Sequence, residues 1–390
     1  MKRFFLVGWL VLSIVPCFAK PSGSLFYREM VQVLKKETIL KADEASKMVP
    51  ETITMFRCDR SAGGKHDFYS EGDYWWPDPK NPDGPYIQRD GMTNPGNFVA
   101  HRQAVIRFSQ IVGALASAYK ITGNEKYVKA ALVHLNAWFV DSVTRMNPSL
   151  NYAQAIKGRF TGRGIGIIDT IQLMDVVQGI LAMQNASCFD KSLLVAIKSW
   201  FAEYLKWLTT HPYGKDEMNA ANNHGTCFTM QAACFARLTG DETLLDFCRN
   251  RYKEVLLPSQ MAADGSFPLE LKRTKPYGYS IFNLDAMTTL CQILSDKNHD
   301  LWNYTTPDGK CIRKGIEYLF PYVADKSKWP LPADVMYWEN WPIAQTFLVF
   351  GAKAYQNRQW FERWKSLDHF PKVEEVIRNF PVRNPLLWIE

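Results

Sequence analysis

From about residue 100 onward the apolar residues recur every three or four positions, and this period constrains the fold more than any other feature of the chain. Val105, Phe108, Ile111, Val112, Leu115 and Tyr119 form one stripe that Gly123 closes; Tyr127, Ala130, Ala131, Val133, Leu135 and Trp138 form the next. Further stripes run over roughly 166–184, 191–209, 225–239, 242–257, 281–294, 312–323 and 343–356. Such spacing gathers apolar side chains on one face of a helix, whereas a half-buried strand alternates at every second residue. Strand-like alternation is scarce, so the expected class is all-α.

Two connections resemble each other, Thr122-Gly123-Asn124-Glu125 and Thr239-Gly240-Asp241-Glu242. In each, Thr-Gly ends one helix and Asn or Asp caps the next. Helical hairpins repeated with short polar turns predict an α/α toroid, an incomplete barrel whose inner and outer helices surround a central cleft. An irregular helical array is the alternative. The segment Tyr69 to Gly96 breaks the pattern: its prolines and glycines exclude a regular helix, yet it carries Tyr74, Trp75, Trp76 and Tyr86. A long aromatic loop over the cleft is expected, serving either a ligand or the closure of one end of the toroid. A Trp-rich turn, Tyr337 to Pro342, has a similar character.

The N-terminus opens with Lys2 and Arg3, an apolar run from Phe4, and Cys17-Phe18-Ala19. This is the layout of a secretory signal peptide over residues 1–19, with an apolar run too short to span a bilayer. Residues 20–390 are then expected to form one exported, periplasmic domain without membrane insertion. Pro16, just before Cys17, argues against lipid anchoring. Removing Cys17 from the eight cysteines leaves seven, none in a Cys-x-x-Cys pair, which excludes a disulfide scaffold or a zinc site. No metal or other cofactor is expected. The formal charge of +7 suits an acidic ligand, and the lack of a Lys/Arg block argues against nucleic acid. The 13 Trp and 17 Tyr, many beside Pro, Gly or Asp, suit a cleft that stacks on sugar rings, although packing must account for most of them.

Three polar constellations carry candidate chemistry. In Asn222-Asn223-His224-Gly225, Asn222 alone suffices to cap the following helix, and a histidine at that positive helix end is disfavoured as imidazolium. A neutral imidazole beside an acidic ligand is a competent base. In Glu270 to Ser280, Lys272, Arg273 and Lys275 gather with Tyr277 and Tyr279; arginine suits a carboxylate, and a tyrosine beside cations is a plausible proton shuttle. In Asn151 to Gly166, Gln154 and Arg163 are candidates for polar sugar groups; without a Gly-Lys-Ser/Thr motif or a preceding strand the segment is no phosphate loop. Taken singly, each also reads as a capped helix, a basic turn or a solvated loop.

Together the segments resemble the alginate lyase domain of exported bacterial poly-uronate lyases. The matching residues are Tyr74-Trp75-Trp76-Pro77-Asp78-Pro79, Asn81-Pro82-Asp83-Gly84, Arg89-Asp90-Gly91, Asn222-Asn223-His224-Gly225 and Glu270-Leu271 through Arg273 to Tyr279. The resemblance implies metal-independent β-elimination on a 4-linked uronic acid polymer such as alginate, leaving a C4–C5 unsaturated end. That chemistry requires neutralisation of the carboxylate beside C5, a base for the C5 proton and an acid for the departing O4. By resemblance Tyr279 is the proton donor, and in mannuronate, where C5–H and O4 share a face, also a candidate base. His224 is the catalytic histidine, and Asn223 and Arg273 are the carboxylate neutralisers. The Arg273-to-Tyr279 interval is one residue shorter than in better-known relatives, which brings Lys272 and Lys275 into contention. Tyr74, Trp75, Trp76, Gln154, Arg163, Asn222 and Lys275 are the candidate substrate contacts. A glycoside hydrolase using two of Asp73, Asp78, Asp169, Glu270 and Asp285 is the enzymatic alternative, and a non-catalytic binder of acidic glycans is the other.

Overall fold

A computed structural model describes residues 25–389; the segment read as a signal peptide, with Cys17, lies outside them. The chain opens with α1 (Leu25–Ala45), α2 (Ala100–Thr122), α3 (Glu125–Phe139), α4 (Leu173–Met183), α5 (Lys191–Thr210), α6 (Pro212–Met218) and α7 (Asn223–Thr239). Next, α8 (Glu242–Arg251) passes through a π turn into α9 (Leu257–Gln260). It continues with α10 (Pro268–Leu271), α11 (Pro276–Leu294), α12 (Ile312–Ala324), α13 (Thr346–Tyr355), α14 (Arg358–Ser366) and α15 (Glu374–Arg378).

Five inner helices stand side by side in the order α2, α4, α7, α11, α13, each packed on the next. Around them lie α1 and α3 against α2, α5 and α8 against α7, α12 against α11, and α14 against α13. This is the α/α toroid that the helical hairpins imply. The inner helices α7 and α11 are buried almost all round, so their polar side chains bond internally, as Thr226 and Asn283 do to Gln260. Both hairpin turns form as the spacing predicts. Gly123 and Gly240 adopt left-handed φ of 71° and 78°, while Asn124 and Asp241 accept from the N–H groups of Lys126 and Leu244.

The inner helices share one direction. At one end of the ring, Lys120, Arg237 and Lys353, from the last turns of α2, α7 and α13, surround a depression with Gln184 and Gln292. The C-terminal segment ties this side to the body of the ring: Gln292, near the end of α11, donates to the Trp388 carbonyl (2.6 Å), and the Trp388 indole donates to Asp175 in the first turn of α4 (2.9 Å). The opposite, N-terminal ends surround the cleft, so the positive ends of several helix dipoles face it.

The aromatic segment is more ordered than a plain loop. It forms β1 (Tyr69–Glu71), β2 (Trp75–Trp76) and β3 (Ile87–Gln88); β1 pairs in parallel with β4 (Tyr152–Ala155), and β2 pairs antiparallel with β3. Two helix starts also differ from the apolar stripes. α7 begins at Asn223, and α11 begins at Pro276 rather than near Ile281, because proline suits the first helical position. Tyr279 therefore projects from the first turn of a rigid helix. The stripe at 166–184 divides into a 3-10 segment (Gly164–Thr170) and α4. All seven described cysteines are unbridged.

Candidate active site

A cavity of about 310 Å³ opens at the N-terminal ends of the inner helices. It brings together Asn222, Asn223 and His224 from the start of α7, Arg273 and Tyr279 from before and within α11, and Tyr74, Trp75, Gln88 and Asp90 from the ribbon segment. Gln154 and Arg163 line it from β4 and the following loop, with Asp73, Arg378, Asn379, Ile165, Ile168 and Phe282. His224 and Tyr279, 55 positions apart in the sequence, thus share one cavity because α7 and α11 are packed neighbours.

At the start of α7 each polar residue has its own partner. Asn222 caps the helix, its side chain accepting from the His224 N–H (3.3 Å). Asn223 donates through its backbone (2.8 Å) and through Nδ2 (3.0 and 2.9 Å) to Glu270 of α10. One N–H aimed between the two carboxylate oxygens accounts for both Nδ2 distances and leaves the second for a ligand. Burial raises the Glu270 carboxyl, against the opposing pull of the Asn223 hydrogen bonds. His224 Nδ1 lies 2.7 Å from Oε1 of Glu217, a fully buried carboxylate on α6. With the Nδ1 hydrogen directed to that carboxylate, the Nε2 lone pair is free.

The opposite wall is built around two phenols. The Tyr279 hydroxyl donates to the Tyr74 hydroxyl (2.9 Å) and accepts from Arg273 (3.3 Å). The Arg273 guanidinium lies 4.3 Å from the Tyr279 ring centre, and Lys275 Nζ lies 5.3 Å from it. These cations favour the phenolate, as their sequence neighbourhood suggested, but burial outweighs them: desolvation, with Tyr74 alongside, holds the Tyr279 phenol well above its ordinary value. Tyr279 is a protonated donor in the free protein.

Two of the candidate cations are already paired within the protein. Arg273 grips Asp90 in a two-pronged pair (2.6 and 3.1 Å), so its charge is already answered. Burial raises Asp90, but the Arg273 hydrogen bonds and charge, with help from Thr274, bring it below the usual carboxylate range. Lys275, a candidate substrate contact, does not line the cavity: it lies buried behind Tyr74 and Tyr279 and pairs with Glu375 (2.8 Å). Trp76 is a second correction. Strand alternation sends it to the face of the ribbon opposite Trp75, where its indole donates to the Met92 carbonyl and Arg89 covers its ring.

Beneath the cavity runs a buried ionic network. Asp73, Asp169 and Glu375 face Arg102, Arg378 and Lys275 at 2.6–3.5 Å, three carboxylates against three cations. Burial works to raise Asp73, yet Arg102 and Arg378 hold it below the carboxylate range. Arg163 stands beside this network without a carboxylate within ion-pair distance among the described residues; its guanidinium bonds the Gln154 carbonyl (2.9 Å) and side-chain oxygen (3.1 Å). Gln154 itself holds a left-handed φ of 47°, a strained conformation for a residue with a side chain.

A family model described as alginate lyase matches residues 54–329. The chain belongs to the alginate lyase family. It is 31% identical to an alginate lyase from Bacteroides ovatus whose crystal structure superposes with a TM-score of 0.80, covering 93% of this chain and 97% of the other. The fold is shared, at 15–16% identity, with an alginate lyase A1-III variant complexed with a tetrasaccharide (TM-score 0.59, 91% of this chain, 94% of the other). It is shared likewise with alginate lyase A1-III from Sphingomonas species A1 (TM-score 0.53, 91% and 95%). No match is found among the curated proteins. The protein is a polysaccharide lyase, as the resemblance of its motifs implies.

The cavity brings together the sequence candidates His224, Tyr279, Asn223 and Arg273, with supporting residues that local sequence does not mark. Glu217, Asp90 as the partner of Arg273, Gln88, Arg378 and Asn379 line or support the cavity without standing among the sequence candidates. Glu217 carries only a faint signal, one of two adjacent carboxylates, Asp216 and Glu217, shortly before His224. Arg378 and Asn379 carry none, since the helix that brings them lies about 100 residues beyond Tyr279.

Proposed function

We propose that this enzyme cleaves 4-linked uronate polymers by β-elimination, with His224 as base and Tyr279 as acid. The observation that carries the reading is the shared cavity: an imidazole with a free Nε2 and a protonated buried phenol, on adjacent rigid helices. The sugar carboxylate next to C5 is received by the free N–H of Asn223 and by Arg163, the cavity cation whose charge is unanswered. Donors there stabilise the enolate-like state in which C5 has lost its proton. His224 Nε2 takes the C5 proton, the electron pair forms the C4–C5 double bond, the C4–O4 bond breaks, and O4 takes the Tyr279 proton. Arg273, already paired with Asp90, holds the Tyr279 hydroxyl and steadies the phenolate left behind.

A hydrolase reading lacks support in the same cavity. Its lining carboxylates, Asp73 and Asp90, are both held ionised by arginine, so neither supplies the raised acid that glycoside hydrolysis needs. Asp285 is buried in α11 and accepts from Thr346 and the Phe347 N–H. Secretion to the periplasm, proposed from residues 1–19 alone, would bring the enzyme to an extracellular polymer. The test is a panel of poly-mannuronate, poly-guluronate and poly-glucuronate followed by ultraviolet absorbance. Absorbance growing with one or more polymers is expected; new reducing ends without absorbance would replace the lyase mechanism by hydrolysis.

A further inference from the structure

Most cations around the cavity meet a carboxylate: Arg102 and Arg378 meet Asp73, Arg273 meets Asp90, and Lys275 meets Glu375. Along one edge this rule fails. Lys157, Arg159 and Arg163 have no carboxylate within ion-pair distance among the described residues, and each lies over an aromatic ring instead. Arg163 and Arg159 lie 5.8 and 5.4 Å from the Trp75 ring centre, and Lys157 lies 5.7 Å from that of Tyr86.

The ribbon explains why these groups share a side. Trp75 is paired directly with Gln88, so these two share a face, and Tyr86 immediately precedes the strand, where it bonds the loop that bears the cations. Trp75 and Gln88 line the cavity, which identifies that face as the cleft side. The loop bearing the cations is fixed against the ribbon: the Tyr86 N–H donates to the Lys157 carbonyl (3.1 Å), and Arg159 Nε donates to the Tyr86 carbonyl (2.7 Å). At Gly158 an added Cβ would meet Pro85 backbone at 2.9 Å, so the close approach depends on glycine. Beside these cations Phe160 is 56% exposed, an apolar surface at the rim.

We propose that Arg159 and Lys157, continuing outward from Arg163 along Trp75 and Tyr86, form a track that takes further carboxylates of a polyanionic sugar chain as it leaves the cavity. This inference rests on the uronate-polymer reading and extends it from one reacting unit to the neighbouring ones. A 4-linked uronate polymer carries one carboxylate per unit and apolar ring faces between them, matching cations interleaved with aromatic rings. A cation held over an aromatic ring keeps its charge while losing rotational freedom, so less order is lost when an anion arrives.

The double variant Lys157→Gln, Arg159→Gln tests the track, because both side chains are exposed and their loss leaves the core packing intact. Two readouts are compared with the unaltered chain: migration through native gels containing alginate or poly-glucuronate, and turnover of polymer against a trisaccharide. Weaker retardation is expected, with a polymer KM raised about three- to tenfold and a kcat little changed, a loss that shrinks at high salt and is smaller for the trisaccharide. Unchanged retardation together with unchanged polymer KM would overturn the track, as would an equal loss on polymer and trisaccharide. If the unaltered chain turns over no uronate polymer, the proposed function fails, and the gel alone decides whether the track binds such chains.

Discussion

The two ends of the inner ring meet the same physical problem with opposite results. At the C-terminal ends of the helices, where dipoles leave negative charge, Lys120, Arg237 and Lys353 stand in the last turns and the C-terminal segment bonds to Gln292 near the end of α11. At the N-terminal ends the protein answers part of the positive charge with its own carboxylates: Glu270 at α7, and Asp334, which accepts from Tyr277 and Gly278 N–H groups at α11. The rest remains open: among the described residues Arg163 has no carboxylate within ion-pair distance, and His224 and Tyr279 face a cavity. One end is closed for stability, and the other is left incomplete so that an anion completes it.

Substitutions that separate stability from turnover sharpen this contrast. At the closed end, Trp388→Ala removes a buried indole and its bond to Asp175. About 3–5 kcal/mol of stability should be lost in denaturant melts, while kcat of the folded fraction stays near the unaltered value; a matching fall in kcat would break the division of labour. At the open end, Glu217→Gln keeps the volume but offers an amide that can donate to Nδ1 and leave the proton on Nε2, where the base should be. A fall in kcat of about a hundredfold or more is expected with little change in KM or melting temperature. Equal activity would show that Glu217 does not set the tautomer.

A subtler difference lies between the ends, within α11. Burial raises the Asp285 carboxyl to about 7. Because the folded value lies above the unfolded one, the unfolded chain releases this proton first as pH rises. The contribution is therefore fully present below about pH 4 and declines until about pH 7, by up to about 1.4 kcal/mol per pH unit. Melting curves of Asp285→Asn should lack this decline between pH 5 and 7; identical slopes would remove Asp285 as its source.

What the sequence made legible follows the range of the interactions. The turns at Gly123 and Gly240 were readable because a left-handed glycine and the next Asn or Asp are local necessities. Asn222, Asn223 and His224 stood out because one capping residue suffices and the others were surplus. Helix α1 escaped notice because its buried residues, Met30, Leu34, Thr38, Ala42 and Ala45, sit among lysines and glutamates and include a threonine. Lys275 and Trp76 were misplaced for geometric reasons: a helix start turns Lys275 behind the tyrosines, and a two-residue strand sends adjacent tryptophans to opposite faces. The surrounding carboxylates were invisible as partners because only packing of α6 and α10 against α7 brings Glu217 and Glu270 within bonding distance.

The central claim is that a protonated Tyr279, paired across the cavity with His224, completes a β-elimination. Its most direct test is the rate of ultraviolet absorbance from C4–C5 unsaturated product, with the preferred uronate polymer saturating, for the unaltered chain and for Tyr279→Phe. Phenylalanine keeps the ring between Arg273 and Lys275 and removes only the hydroxyl. A rate reduced about a thousandfold or more, with fold and polymer binding retained, is the predicted result. A rate within a few-fold of the unaltered enzyme would contradict the account.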